Sequence, residues 1–146
     1  MKIYLDICAI QRPLDTFDQI RIILEAEAVL GILALCESGQ LELLSSDALV
    51  YETEQNPLAV RQEHARAVLA RAKERVRLSN EAKQRAKQLT KLGFRPMDAL
   101  HLALAEAGGA EYFCTCDDRL LRRAKNVLDL RVKVMSPVEF VQEIAK

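Results

Sequence analysis

Asp6, Asp98, Asp117 and Asp118 sit at the ends of apolar segments, where charge is expensive, and Glu52 is the next candidate. Asp6 closes the run Ile3-Tyr4-Leu5, and Glu52 ends Leu49-Val50-Tyr51-Glu52. Asp98 precedes Ala99-Leu100-His101-Leu102-Ala103-Leu104-Ala105, which reads as a buried helix. Asp117, with Asp118 after it, follows an apolar run that reads as a strand. A carboxylate beside a core is costly unless something balances it. Several at one place repel, so that either some take up protons or a cation binds. Oxygen donors suit a hard divalent cation, and Mg²⁺ needs only one or two carboxylates while keeping its waters. Two such ions stabilise both the attacking and the leaving oxygen of a phosphodiester displacement. Taken singly, each acid also fits a plainer role. Asp98 is at home at a helix start, Asp117 and Asp118 in a turn or cap, and Asp6 at a solvated strand end. There is no Gly-rich phosphate loop, no zinc-type Cys/His spacing and no convincing His or Ser nucleophile.

The elements that must position these acids are readable from periodicity. Residues 2–6 suit a short buried strand with Asp6 at its C-terminal end. Residues 12–18 carry the Pro and Asp of a loop or helix start. From 19 to 37, Ile20, Ile23, Leu24, Val29, Leu30 and Leu33 recur with a helical period, and Gly39 ends that helix. Leu41–Leu44 is a strand, Ser45-Ser46-Asp47 offers an N-cap, and Ala48–Gln55 is a helix stopped before Pro57. Residues 58–76 place Ala65, Val68, Leu69, Ala72 and Val76 on one face and read as a single amphipathic helix. Ser79 caps a helix over 80–91, closed by Gly93. Pro96 begins another that runs to Gly108-Gly109. A strand over 111–115, a short helix over 118–126, a strand near 131–135 and a helix over 137–145 complete the chain. Strands separated by helices predict a parallel sheet covered on both faces. The functional site of such a sheet lies outside the carboxyl ends of its strands, which is where Asp6 and Asp117 fall.

The chain has 146 residues, half of them hydrophobic and 29% charged, as expected of one globular domain. No stretch approaches the roughly 20 apolar residues of a membrane span. The apolar run before Asp6 is too short for a signal peptide, which predicts a cytoplasmic protein. The four cysteines, Cys8, Cys36, Cys114 and Cys116, are then expected as free, mostly buried thiols. Cys114-x-Cys116 is read as two small buried residues, not as a metal or disulfide pair. Net charge is zero, but residues 1–60 hold three basic and ten acidic side chains. Residues 61–91 hold ten basic and three acidic ones, and residues 119–146 seven and three. That asymmetry reads either as solvated helix faces or as a surface for a polyanion near an acidic site.

Four segments carry a resemblance to a known family. They are Ile3-Tyr4-Leu5-Asp6, Ser46–Glu52, Met97-Asp98-Ala99-Leu100-His101-Leu102-Ala103 and Thr115-Cys116-Asp117. In these, over nearly its whole length, the chain resembles the PIN-domain family of metal-dependent nucleases, particularly its small toxin-type (VapC-like) members. The last two motifs and their spacing are the specific part. The resemblance implies one α/β PIN-like domain over 1–146, a central mostly parallel sheet of about four to five strands flanked by helices. It implies an endoribonuclease in which Asp6, Glu52, Asp98 and Asp117 bind Mg²⁺ or Mn²⁺, directly or through waters. It also implies a homodimer and, for toxin members, a small antitoxin that blocks the site.

Beside these four, Thr115 is expected to orient Asp117 or a metal-bound water, and Asp118 to act as a cap or close neighbour. Arg12 is expected to hold a carboxylate or a substrate phosphate, and Arg119 to contact the RNA backbone. Arg21 and Glu25 are four apart and suit a helix pair. His101 reads as a packed or surface side chain. Many family members carry Ser, Thr or Asn just after the first Asp, whereas Asp6 is followed by Ile7 and Cys8. The alternative that this suggests is a PIN-like domain that binds RNA or protein and cuts poorly. A receiver-like phosphoryl acceptor needs a lysine at a late strand end, and Lys133 lies inside its strand.

Overall fold

A computed structural model describes the chain from Met1 to Lys146. Five strands form one sheet: β1 (Lys2–Leu5), β2 (Glu42–Ser46), β3 (Glu74–Val76), β4 (Tyr112–Cys114) and β5 (Lys133–Met135). All pairings are parallel, in the order β3-β2-β1-β4-β5. The helices are α1 (Ile7–Gln11), α2 (Ile20–Glu37), α3 (Asp47–Gln55), α4 (Ala59–Leu69), α5 (Asn80–Lys91), α6 (Pro96–Ala107), α7 (Asp118–Ala124) and α8 (Pro137–Ile144). The central strands are buried on both faces, as helix-covered parallel strands must be. Ile3, Tyr4, Leu5, Phe113 and Cys114 have no accessible surface. The Tyr4 ring stacks on Phe113 at a centroid distance of 5.1 Å.

Two elements depart from the sequence expectation. The helix expected over 58–76 ends at Leu69, and Glu74–Val76 pair with β2 as an edge strand. Only Val76 of that strand points into the core. Because Val76 also continues the helical period of Ala65, Val68 and Ala72, the pattern hides the change of element. The second departure is α1, which starts directly after Asp6, with the Asp6 side chain as its cap. Its residues Ile7–Ile10 simply extend the apolar run of β1. Elsewhere the punctuation is where the turn chemistry calls for it: Gly39 and Gly109 take positive φ, 83° and 76°, just past α2 and α6. The four cysteines are free thiols.

The opposed charges of the two chain segments meet in space. Asp15 pairs with Arg61 at 2.7 Å, Glu37 with Arg71 at 3.0 Å, and Asp47 with Arg75 at 2.8 Å. Glu54 pairs with Arg66 at 2.5 Å, and Arg85 turns to Glu106 at 2.7 Å. Half of the basic stretch 61–91 is thereby neutralised within the fold.

The carboxyl end of α6 lies close to the sheet at Gly108. A Cβ there would stand 2.5 Å from Val76 Cγ2 and 2.9 Å from Leu44 Cδ1. Gly108→Ala is expected to lower stability by about 1–3 kcal/mol through overpacking, read by urea unfolding. An unchanged midpoint would mean that α6 does not seat on β2 and β3 as described.

Candidate metal centre

The strand order reverses at β1, whose neighbours are β2 on one side and β4 on the other. That is the switch point where a parallel sheet opens a crevice at its carboxyl edge. Leu5 is in register with Cys114, and the Asp6 amide donates to the Cys114 carbonyl at 2.9 Å. Asp6 and Thr115 are therefore neighbours at that edge. The Thr115 hydroxyl donates to Asp6 Oδ2 at 2.9 Å, and the Ile7 amide donates to Oδ1 at 2.9 Å. Cys8 Sγ lies 3.6 Å from Oδ2. Asp6 is only 6% exposed, so burial pushes its carboxyl pKa up, opposed by His101 and Thr115 and reinforced by Glu52.

Glu52 reaches the same place from α3. Ser46 caps that helix by accepting from the Leu49 amide at 3.1 Å. The Glu52 carboxylate contacts His101 Nε2, on α6. His101 Nδ1 meets the Tyr4 hydroxyl at 2.6 Å, and that hydroxyl meets Ser46 Oγ at 2.7 Å. One ligand atom each from Asp6, Glu52 and His101 lie within 4.8 Å of one another. Burial alone would lower the His101 pKa, but its bond to Glu52 and the fields of Asp6, Glu52 and Asp98 leave it raised.

Asp98 stands in the first turn of α6, directly after Pro96-Met97, where the helix dipole favours an anion. Its pKa is pushed up to about 6, first by burial and then by Asp6 and Asp117. Asp117 caps α7, accepting from the amides of Arg119 at 2.9 Å and Leu120 at 3.3 Å. The structure thus brings Asp6 and Glu52 into one tight group. It sets Asp98 and Asp117 beside them, outside that group but within reach of each other's fields.

The remaining candidates divide. Thr115 bonds the Asp6 carboxylate and accepts from the Asp117 amide at 3.1 Å, so it ties the two strand ends together. It supplies the hydroxyl beside Asp6 that Ile7 cannot. Asp118 turns away and takes both Arg21 nitrogens, at 2.7 and 2.8 Å. Arg12 pairs with Asp15 at 2.8 Å and with buried Glu25 at 3.0 Å, and Arg21 reaches Glu25 at 3.4 Å. Arg12 does hold carboxylates, though not those of the centre. Arg119 is exposed. His101, expected as a packed or surface side chain, is the residue that sequence reasoning missed. Its one signal was its position one helical turn after Asp98.

No lysine or arginine forms an ion pair with Asp6, Glu52, Asp98 or Asp117. A partly buried, oxygen-rich group with no such partner fits a hard divalent cation.

A family model described as the PIN domain matches residues 3–126. Among solved structures, the chain is similar to VapBC2 from Rickettsia felis bound to a DNA fragment from their promoter. That match has a TM-score of 0.58 and 15% identity, over 93% of this chain and 98% of that one. It is also similar to PAE2754 from Pyrobaculum aerophilum, with a TM-score of 0.50 and 20% identity over the whole of both chains. At these identities the likeness is one of fold. No curated protein matches the chain.

The Asp98 shift has a signed consequence. An unfolded Asp titrates near 3.9, so between about pH 4 and pH 6 the metal-free folded chain keeps a proton that the unfolded chain has lost. Stability therefore falls as pH rises through that window and does not recover above it. At pH 7, Asp98→Asn is expected to be more stable than wild type by about 1–2 kcal/mol in urea unfolding, discounted for solvent at this half-buried group. Equal stability at pH 7 would contradict the burial and repulsion described for Asp98.

Proposed function

The chain belongs to the PIN domain family, and on that premise we propose that it is a Mg²⁺- or Mn²⁺-dependent endoribonuclease. In this reading it is the toxin of a toxin–antitoxin pair and acts in the cytoplasm. The observation that carries the nuclease reading is the group of carboxylates at the sheet's switch point with no lysine or arginine to neutralise it. Asp6, Glu52, Asp98 and Asp117 would hold the cation. When bound, it supplies charge neutralisation and an acidified water for phosphodiester hydrolysis.

The chain's own residues do the rest. Thr115 fixes the Asp6 carboxylate, and the cap that Asp117 makes on α7 fixes its orientation. Cations for the RNA backbone stand close by. Arg95 precedes α6 and acts on Asp98 through its field, while Arg119, Arg122 and Arg123 belong to α7. None of these four forms a close ion pair, unlike the paired arginines of 61–75. The backbone contacts are therefore assigned to this rim, where they position substrate without reading its sequence. The motif resemblance to toxin-type members, together with a fold shared with VapBC2, supports the toxin reading and a small antitoxin partner. A homodimer follows from the same resemblance.

The test is cleavage of single-stranded RNA by the full chain with Mg²⁺, with Mn²⁺ and with EDTA, in wild type and Asp98→Asn. Cleavage is expected with either ion and none with EDTA. The variant should lose about 100-fold or more, since the metal's contribution is worth several kcal/mol. RNA that is bound yet uncut with both ions would favour the binding-module reading suggested by Ile7 and Cys8. Growth arrest on expression of wild type, and none with the variant, is the outcome that the toxin role requires.

A further inference from the structure

Resting on the metal-centre reading, we propose that His101 is a positioning residue. It holds the Glu52 carboxylate in place for a divalent cation and is not itself a ligand. His101 is 1% exposed, and a polar ring in a core is tolerable only with both nitrogens satisfied. Both are: Nδ1 by the Tyr4 hydroxyl at 2.6 Å, and Nε2 by donating to Glu52 Oε1.

The chain of contacts then closes on itself. The Tyr4 hydroxyl is also bonded to Ser46 Oγ at 2.7 Å, and Ser46 is the cap of α3, the helix that carries Glu52. Glu52 is therefore fixed twice, through its backbone by the cap and through its carboxylate by the imidazole. Tyr4 cannot swing away, because its ring is stacked on Phe113 and meets His101 edge-on at 5.8 Å. Turning the Glu52 carboxylate aside would strand a buried N–H, which costs far more than the bond itself is worth. The carboxylate is thus set beside Asp6 before any cation arrives. This is the arrangement by which outer partners orient ligands in metal sites. With its Nε2–H committed to Glu52, His101 has no lone pair to give on that side.

The test measures Mn²⁺ affinity by calorimetry for wild type, His101→Leu, His101→Gln and Asp98→Asn, with imidazole NMR of the wild type in saturating Mg²⁺. His101→Leu is expected to bind Mn²⁺ about 10–100-fold more weakly. His101→Gln, whose amide can still donate to Glu52, should keep most of the affinity. The wild-type Nε2–H signal should survive Mg²⁺ addition, a result that does not depend on any variant folding. Wild-type affinity in His101→Leu, equal losses in the Leu and Gln variants, or disappearance of the Nε2–H signal with Mg²⁺ would each overturn the proposal. If Asp98→Asn loses affinity while His101→Leu does not, the inference fails and the metal centre stands. If neither loses affinity, the metal-centre reading fails with it.

Discussion

Asp6 is a buried carboxylate that no lysine or arginine neutralises, and the architecture at the centre of this protein is organised around that fact. It is held by one amide and one hydroxyl, with the negative charges of Glu52, Asp98 and Asp117 around it. A fold discards such an arrangement unless it serves something, because a leucine at the same strand end would cost nothing in desolvation. The five-stranded sheet gives the acids their common address. β1 and β4 run side by side and in register, so two strand ends far apart in sequence deliver Asp6 and Thr115 to one point. Helices α3 and α6 then bring Glu52 and Asp98 over the same edge.

Charge elsewhere is handled in the opposite way. Asp15, Glu37, Asp47 and Glu54 find arginines of the 61–75 segment, and Glu106 finds Arg85. These pairs are mostly surface features of small energetic worth, yet they decide which cations remain free for a polyanion. Among the arginines without an ion pair, Arg95 precedes α6 and acts on Asp98, and Arg119, Arg122 and Arg123 lie on α7, the helix that Asp117 caps. A chain of zero net charge thus holds a local acidic centre that bulk composition conceals, and the basic residues of α7 are the ones proposed to meet a polyanion beside it.

Much of this was legible in the sequence. Asp6, Asp98, Asp117 and Asp118 stood out because they bounded apolar segments, while the choice of Glu52 over Asp118 rested on the motif resemblance. Alternating strands and helices implied the parallel sheet, and the caps Ser46 and Ser79, with Pro96 in a first turn, marked helix starts closely. What was not legible involved residues whose local pattern agreed with the wrong element, or partners far apart in the chain. Val76 continued a helical period while serving an edge strand. Ile7–Ile10 continued a strand-like apolar run while forming α1. His101 meets Glu52 across 49 residues of sequence, and nothing local announces that contact. The pairing of Asp15 with Arg61 spans 46 residues and was equally invisible, so the basic stretch read as more available than it is.

The most direct measurement of the central claim is anomalous diffraction from crystals of the protein soaked in Mn²⁺. The account predicts an anomalous peak at the carboxyl edge between β1 and β4, within coordination distance of Asp6 and Asp98 oxygens, and no direct contact from His101. Ordered Mn²⁺ found only elsewhere, with those carboxylates protonated or paired to basic side chains, would contradict it.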